Sequence, residues 1–126
     1  MRILLDTAVL IFAVESPDRI SRRAMSSLEN SDNILELSSI SLAEIAIKSA
    51  VHKLDFTERD VHRAVDDLGI RILPYGGAHA FQLFGLPRHH RDPFDRQLIA
   101  QAMCEEIPIV TPDETFALYK GLKIIW

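Results

Sequence analysis

The chain has 126 residues, of which 48% are hydrophobic and 25% are charged. This length fits a single domain spanning residues 1–126 with one hydrophobic core. The mean hydropathy of +0.08 is that of a soluble protein rather than a disordered or membrane-embedded one. The net charge of -4 argues against a protein that binds nucleic acid nonspecifically through a basic surface.

The longest apolar run near the start of the chain covers residues 8–14, with Asp6 shortly before it and Glu15 directly after it. It is too short to span a membrane and its flanks differ from those of a signal peptide. We therefore expect a cytoplasmic protein with no membrane contact. The single cysteine, Cys104, cannot form an internal disulfide, and its apolar neighbours indicate a small buried side chain.

Apolar segments alternate with helical patterns along the whole sequence. Strands are predicted at residues 2–5, 34–37, 70–73, 107–111 and 122–125. Helices are predicted at residues 7–14, 20–28, 41–51, 57–68, 78–84, 93–105 and 111–120. Strands that alternate with helices are joined by right-handed crossovers, which predicts an α/β fold with a mostly parallel sheet covered by helices on both faces.

Several of these helices begin with capping signals that contain acidic residues. Asp92 is predicted to be an N-cap, with a proline at the first helical position and Asp95 at the third. Ser41 and Glu44 have the spacing of a capping box, and Thr111 is predicted to cap the last helix. Capping and the helix dipole are enough to explain each of these carboxylates without any chemistry.

The predicted topology brings four acids to one edge of the sheet. Ligands of open parallel sheets bind outside the carboxyl ends of the strands. Asp6 follows the first strand and Asp113 follows the fourth, while Glu44 and Asp95 lie in the first turns of helices on the same side. Because helices that follow strands always start at that edge, a metal site and a set of purely structural acids both remain open.

Carboxylates gathered in one cleft repel one another and raise one another's pKa values unless a cation compensates them. Oxygen ligands select hard ions such as Mg²⁺ or Mn²⁺, and the sequence has no Cys/His spacing typical of zinc. A site of this kind polarises a phosphodiester and activates water. The residues therefore point to phosphodiester hydrolysis.

Four segments of the sequence resemble the motifs of PIN-domain ribonucleases in order and spacing. They are LLDT at 4–7, SLAEIAIK at 41–48, RDPFDRQLIAQA at 91–102 and IVTPDETF at 109–116. The sequence is most similar to the VapC toxins of type II toxin–antitoxin systems. The resemblance implies a PIN-like three-layer fold, with a central mostly parallel five-stranded sheet flanked by helices. It also implies a Mg²⁺ or Mn²⁺ cofactor, endoribonuclease activity on an RNA substrate, a cognate antitoxin as partner, and a homodimer.

The resemblance also assigns roles to single residues. Asp6, Glu44, Asp95 and Asp113 match the catalytic acidic quartet of the family. Asp6 and Asp95 are expected to be the principal metal ligands, with Glu44 and Asp113 binding directly or through water and Asp92 as a candidate further ligand. The sequence departs from the family at two positions without affecting an acid. Ala43 replaces an aromatic residue before the glutamate, and His52 replaces a common glycine.

Residues outside the acidic quartet give weaker signals. His89 and His90 are candidates for contact with RNA phosphate or for acid–base chemistry, but exposed loop histidines are the favoured interpretation. Lys48 is predicted to be a solvated helix residue. Arg91 and Arg96 are candidates for phosphate binding, and pairing with a nearby acid is the other interpretation of Arg96. Three phenylalanines fit a core pattern and are also candidates for an antitoxin groove: Phe12, Phe56 and Phe81.

Other classes of protein fit the sequence less well. A phosphoacceptor receiver domain needs an aspartate after the third strand, where Pro74 stands, and an aspartate-dependent phosphatase needs an acid at Ala8. A nucleotide-binding enzyme needs a longer glycine-rich loop than Gly76 and Gly77 provide. The remaining alternative to a ribonuclease is a catalytically inactive PIN domain that serves as a protein-interaction module.

Overall fold

The computed structural model describes residues 1–126. Its centre is a five-stranded sheet in the order β3-β2-β1-β4-β5. The strands are β1 (Arg2–Leu5), β2 (Ile34–Ser38), β3 (Arg71–Leu73), β4 (Ile109–Val110) and β5 (Ile124–Ile125). The α-helices are α1 (Thr7–Glu15), α2 (Arg22–Glu29), α3 (Ser39–Ala50), α4 (Glu58–Leu68), α5 (Gly77–Gln82) and α6 (Pro93–Glu105), and 3-10 turns cover Pro17–Arg19, Leu83–Gly85 and Glu114–Leu118. Every strand pairing is parallel.

The central strand β1 explains why helices cover both faces of the sheet. Alternate residues of a strand point to opposite faces. Ile3 and Leu5 belong to a hydrophobic cluster that includes residues of α1, α2 and α4. Leu4 belongs to a second cluster, which includes Leu98 and Ile99 of α6. The predicted three-layer α/β fold, with a parallel sheet between layers of helices, is confirmed.

Two of the predicted helix starts are wrong in detail. Helix α3 begins at Ser39, and its N-cap is Ser38, whose hydroxyl accepts the N–H of Ile40. Ser38 ends β2 and is itself a good capping residue, so the chain enters the helix without a loop. Ser41 and Glu44 therefore lie inside α3, where both are buried, and they do not form a capping box.

The last predicted helix start also moves by two residues. Asp113, rather than Thr111, is the N-cap, and its carboxylate accepts the N–H of Thr115 at 2.9 Å. The element it caps is a short 3-10 turn, Glu114–Leu118. The hydroxyl of Thr111 does accept the N–H of Asp113, at 3.1 Å, so it shapes the turn without capping it.

The predicted N-cap Asp92 is confirmed, and α4 lies within one residue of its predicted bounds at residues 57–68. Thr57 and Asp60 form a capping box at the start of α4, and Gly69 ends that helix in the left-handed conformation with φ of +64°. His52 has φ of +58°, in the left-handed region that favours glycine. No helix is long and apolar enough to cross a membrane.

Candidate active site

The five predicted acids line one cleft outside the carboxyl ends of β1 and β4. The cleft has a volume of about 410 Å³, and its charged lining residues are Asp6, Glu44, Asp92, Asp95, Asp113, Lys48 and Lys53. The chain turns from β1 into α1, from β2 into α3, and from β4 into the last 3-10 turn at this edge. The structure thus brings together all the carboxylates that the sequence placed there.

Asp6 lies at the bottom of this arrangement. It joins β1 to α1, is only 5% exposed, and its N–H donates to the carbonyl of Val110 in the neighbouring strand β4. Its Oδ2 atom accepts a hydrogen bond of 2.7 Å from the hydroxyl of Thr111. Burial raises the pKa of Asp6 to about 6, against the lowering effect of Thr111, and the negative charge of Glu44 raises it further.

Asp95 lies in the first turn of α6 and has the most perturbed pKa of the acids. Burial raises this pKa to about 8, and repulsion from Asp6, Asp92 and the other acids adds to the effect. No protein group donates a hydrogen bond to its carboxylate. Asp92, by contrast, acts as the N-cap of α6, because its Oδ1 atom accepts the N–H groups of Phe94 and Asp95 at 2.8 and 3.3 Å.

Glu44 has one oxygen that is paired and one that is not. Its Oε2 atom lies 2.5 Å from Nζ of Lys48, which is four residues further along α3. Its Oε1 atom is buried and has no hydrogen-bond partner. The Lys48 side chain remains 37% exposed, in keeping with the predicted solvated position, and it also lies over the carboxylate of the preceding helical turn. The hydrogen bond to Glu44 raises the pKa of Lys48.

Asp113 is held by His90, which the sequence analysis placed on an exposed loop. The His90 side chain is only 8% exposed, and its Nε2 atom lies 3.0 Å from Oδ2 of Asp113 and 3.9 Å from Oδ2 of Asp95. Its ring stacks on Tyr119 with a centroid distance of 5.6 Å. Partial burial would raise the pKa of Asp113, but the hydrogen bonds from His90 and Thr115 lower it.

His90 is buried because Phe116 of the last 3-10 turn and Tyr119 directly after that turn provide an aromatic surface for its ring. No local sequence pattern predicts such a contact. His89 is exposed, as predicted.

Hydroxyl groups connect the acids below the surface of the cleft. Thr111 donates to Asp6 and accepts from the backbone of Asp113, so one side chain positions two of the carboxylates. The hydroxyl of Thr7 donates to that of Ser41 at 2.8 Å, which ties the start of α1 to α3. The sequence analysis identified Thr111 but missed the role of Ser41, whose only signal was a capping pattern that does not form.

The charges of the cleft leave room for a cation. Glu44 has Lys48, and Asp113 has His90, but Asp6 and Asp95 have no cationic side chain within hydrogen-bonding distance. Burial is the main cause of the raised pKa values of these two acids, and repulsion from neighbouring carboxylates adds to it. The buried, unpartnered Oε1 atom of Glu44 is a further free oxygen ligand. An oxygen donor set with an excess of negative charge fits a hard divalent ion.

The fold is that of a PIN domain. The family description "PIN domain" matches residues 3–122, and the chain belongs to this family. No curated protein matches the chain.

Solved structures of toxin–antitoxin complexes share the fold. A chain of VapBC2 from Rickettsia felis, bound to a DNA fragment of its promoter, has a TM-score of 0.75 and 20% identity, with 98% of this chain and 97% of that one covered. A chain of the DNA-bound VapBC from Salmonella typhimurium has a TM-score of 0.70 and 17% identity, with coverages of 98% and 96%. VapBC-5 from Mycobacterium tuberculosis has a TM-score of 0.61 and 20% identity, with coverages of 98% and 97%. The PIN-like fold predicted from the sequence is confirmed.

Proposed function

We propose that this protein is a Mg²⁺- or Mn²⁺-dependent endoribonuclease that acts as the VapC-like toxin of a toxin–antitoxin pair. The observation that carries the proposal is the pair Asp6 and Asp95. Both carboxylates lie in one cleft with no cationic side chain within hydrogen-bonding distance, the nearest to Asp95 being His90 at 3.9 Å, and their pKa values are raised to about 6 and about 8. In a purely structural site, a cationic side chain of the protein would compensate the charge of these carboxylates. In a metal site, the bound ion compensates it.

In this proposal, Asp6 and Asp95 are the principal metal ligands, and Glu44 and Asp113 bind directly or through water. Asp92 has one oxygen in the cap of α6, so its other oxygen is the one left for a ligand role. A bound divalent ion would supply a Lewis acid that polarises a phosphodiester and makes water a better nucleophile.

The side chains around the acids fix the geometry of the proposed site. Thr111 holds Asp6 through its hydroxyl, Lys48 holds one oxygen of Glu44, and His90 holds one oxygen of Asp113. Each of these contacts leaves the other oxygen of the carboxylate free or bound only to backbone. Preorganised ligands of this kind lower the cost of assembling the site when RNA binds.

A second part of the proposal concerns the partners. Chains of similar fold are found in complexes described as VapBC toxin–antitoxin systems, and we propose a cognate antitoxin for this chain. The candidate binding site for the antitoxin is an apolar groove of about 420 Å³ between α3 and α4. Leu42, Val65 and the partly exposed Ile72 line this groove. Phe56 contributes to this groove from the core. Phe12 packs against the core, whereas Phe81 is 74% exposed and lies outside the groove.

The experiment that tests the enzymatic proposal is cleavage of purified total cellular RNA by the chain freed of any antitoxin. Reactions contain Mg²⁺, Mn²⁺ or a chelator, and cleavage sites are mapped by sequencing the new RNA ends. We expect cleavage that requires the metal and is lost in Asp95→Asn. Glu105→Gln is the matched control, since Glu105 lies at the end of α6 and pairs with Arg2 rather than with the acids of the cleft.

The alternative is a catalytically inactive PIN domain that serves as an interaction module, and the α3–α4 groove is a feature that both candidate functions use. Under that alternative, folded protein would cleave no RNA with any divalent ion, while Leu42→Asp in the groove would abolish antitoxin binding. Size-exclusion chromatography with light scattering tests the homodimer expected from the resemblance. A monomer at every concentration would contradict that expectation without affecting the ribonuclease proposal.

A further inference from the structure

A loop of cationic residues borders the acidic cleft. Residues 86–91 lead into α6, and within them Arg88, His89 and Arg91 are exposed. No ion pair in the structure involves Arg88 or Arg91. In a chain with a net charge of -4, two neighbouring arginines without acidic partners form a local positive surface of opposite sign to the cleft.

The backbone of this loop is held in place from two sides. The hydroxyl of Tyr119 accepts the N–H groups of His89 and His90 at 3.2 and 2.9 Å. The guanidinium of Arg96 donates to the carbonyls of Pro87 and Leu86 at 2.7 and 3.2 Å. Arg96 pairs with no acid and instead fixes the loop, while phosphate binding by Arg96, which also lines the hollow beside the loop, stays a prediction.

Because hydrogen bonds hold the loop backbone, Arg88 and Arg91 occupy a limited set of positions before a ligand binds. A ligand that binds them loses less conformational entropy than it would on a mobile loop. The loop is also joined directly to the cleft, since His90 contacts Asp113 and Arg91 is followed by Asp92. Arg88 and Arg91 line a hollow of about 620 Å³ together with Pro93 and Gln97 at the start of α6.

We propose that Arg88 and Arg91 form a phosphate-binding surface that holds single-stranded RNA by the backbone phosphates next to the one presented to the acidic cleft. This inference rests on the proposed ribonuclease function and names the surface that brings substrate to it. A cleft lined with carboxylates repels a polyanion, so RNA needs a cationic contact close by to enter it. Guanidinium groups bind phosphate oxygens in a bidentate manner, which suits this task.

The test is RNA binding under conditions in which cleavage is impossible. A fluorescein-labelled oligouridylate is titrated with Asp95→Asn protein in chelator, and fluorescence anisotropy gives the dissociation constant at several salt concentrations. The double variant Arg88→Gln/Arg91→Gln, in the same background, is expected to bind roughly tenfold more weakly, with a salt slope smaller by about 1.4, because each lost phosphate contact in a single strand removes about 0.7.

The matched control removes two arginines from the other end of the sheet. Arg22 and Arg23 are both exposed, and Arg23 lines a hollow with Arg2 and Pro108, next to the amino ends of β1 and β4. Arg22→Gln/Arg23→Gln lowers the net charge by the same amount and is expected to leave RNA binding unchanged. Thermal unfolding checks that the variants are folded. If the loop double variant does not fold, the single variants Arg88→Gln and Arg91→Gln decide the question.

Three results would overturn the proposal. Equal weakening in the loop variant and the control would show that only net charge matters, and unchanged RNA binding in the loop variant would remove the surface from RNA recognition. A loop variant that loses binding to a polyglutamate peptide but not to RNA would identify an acidic protein segment as the ligand.

Kinetics on protein with Asp95 intact separate this proposal from the ribonuclease proposal. Cleavage by the loop variant with a raised KM and an unchanged kcat is the expected result. Cleavage with an unchanged KM would reject the surface and leave the ribonuclease standing. RNA binding that depends on the loop, without cleavage in any metal, would reject the ribonuclease and leave the surface standing.

Discussion

Buried carboxylates lie in two regions of this molecule, and their surroundings differ. Towards the amino ends of the strands, the side chain of Glu36 is only 3% exposed and pairs with Arg2. Arg2 also binds Glu105 at 2.8 Å, and Glu105 lies 3.2 Å from His79. We call these four residues the paired cluster. Its hydrogen bonds from Arg2 and His79 lower the pKa of Glu105.

At the carboxyl ends of the strands the same chemical group behaves in the opposite way. Burial and mutual repulsion raise the pKa of Asp95 to about 8, and burial raises that of Asp6 to about 6. The comparison teaches that a buried acid such as Glu36 is a structural part of the fold when the chain compensates its charge. Glu44 is intermediate, because Lys48 pairs with one of its oxygens and the other has no partner. An acid without such a partner marks a place where an external cation is expected.

The largest expected effect is on RNA cleavage. Asp6→Asn removes a proposed metal ligand while it relieves charge repulsion, so we expect a folded protein whose kcat/KM is lower by about a thousandfold, or about 4 kcal/mol in transition-state free energy. Glu105→Gln in the paired cluster is expected to retain activity. The measurement is initial cleavage rate on the mapped RNA, with thermal unfolding as the check on folding. Loss of folding in Asp6→Asn would instead assign this residue a structural role.

The second largest expected effect is on the free energy of unfolding, when Arg2 or Lys48 is replaced. Arg2→Met leaves Glu36 buried without a partner and is expected to cost about 2–3 kcal/mol of unfolding free energy, somewhat less than a fully buried pair because Arg2 is 36% exposed. Lys48→Met likewise leaves Glu44 without its cation.

Metal addition should separate these two variants. We expect Mn²⁺ to restore the melting temperature of Lys48→Met and to leave the deficit of Arg2→Met in place, because only Glu44 lies in the proposed metal site. Urea unfolding with and without Mn²⁺ measures both deficits. Equal rescue of the two variants would contradict the division into a structural and a metal-binding region.

A pH effect follows from the raised pKa values. The pKa values of about 6 for Asp6 and about 8 for Asp95 exceed the value of about 3.9 in unfolded chains. The folded state therefore binds protons more tightly between these limits, and without metal its stability falls as pH rises from about 4 to about 8. Glu105 has the opposite sign, since its contribution is lost as pH falls through its lowered pKa.

We expect the metal-free protein to melt at a lower temperature at about pH 8 than at about pH 5, and Asp95→Asn to remove most of that difference. Differential scanning calorimetry in chelator makes the comparison. Adding Mg²⁺ or Mn²⁺ should raise the melting temperature more at the higher pH, because the ion then competes with fewer protons. A stability that rises with pH in chelator would show that the acids are compensated in some other way.

The smallest expected effect comes from the hydroxyl below the acids. Thr111→Val removes the donor to Asp6 and should raise the pKa of that carboxyl further, at a cost of about 1 kcal/mol in stability. Metal binding, followed by isothermal titration calorimetry with Mn²⁺, should weaken by about tenfold, as is typical when a group that orients a ligand is removed. Unchanged Mn²⁺ affinity would mean that Thr111 shapes the turn to Asp113 and nothing more.

Most of the fold could be predicted from the sequence. Short apolar segments such as residues 2–5 and 34–37 gave the strands to within a few residues, because only buried strands need continuous apolar runs. Pro93 and Gly69 marked a helix start and a helix end correctly, since their backbone preferences act locally. The start of α3 was misplaced because Ser38 and Ser41 are both good capping residues, and the helix is capped by Ser38.

The sequence also placed the candidate acids at one edge, because topology alone delivers the ends of parallel strands and the starts of the following helices to the same side. It did not predict the partners of those acids. His90 and Tyr119 are 29 residues apart, yet they stack and share a hydrogen bond beside Asp113. Lys48 was within reach of prediction, since its spacing of four residues from Glu44 is a known helical pairing.

The sequence by itself determined the alternation of strands and helices, the parallel sheet, and the edge at which Asp6, Glu44, Asp95 and Asp113 gather. These features depend on local periodicity, capping and chain order, which can be read from neighbouring residues. Only the tertiary structure decided which buried carboxylates have a cation and which do not. That distinction depends on contacts between distant segments, such as Arg2 with Glu105, and on the depth at which each side chain is withdrawn from water.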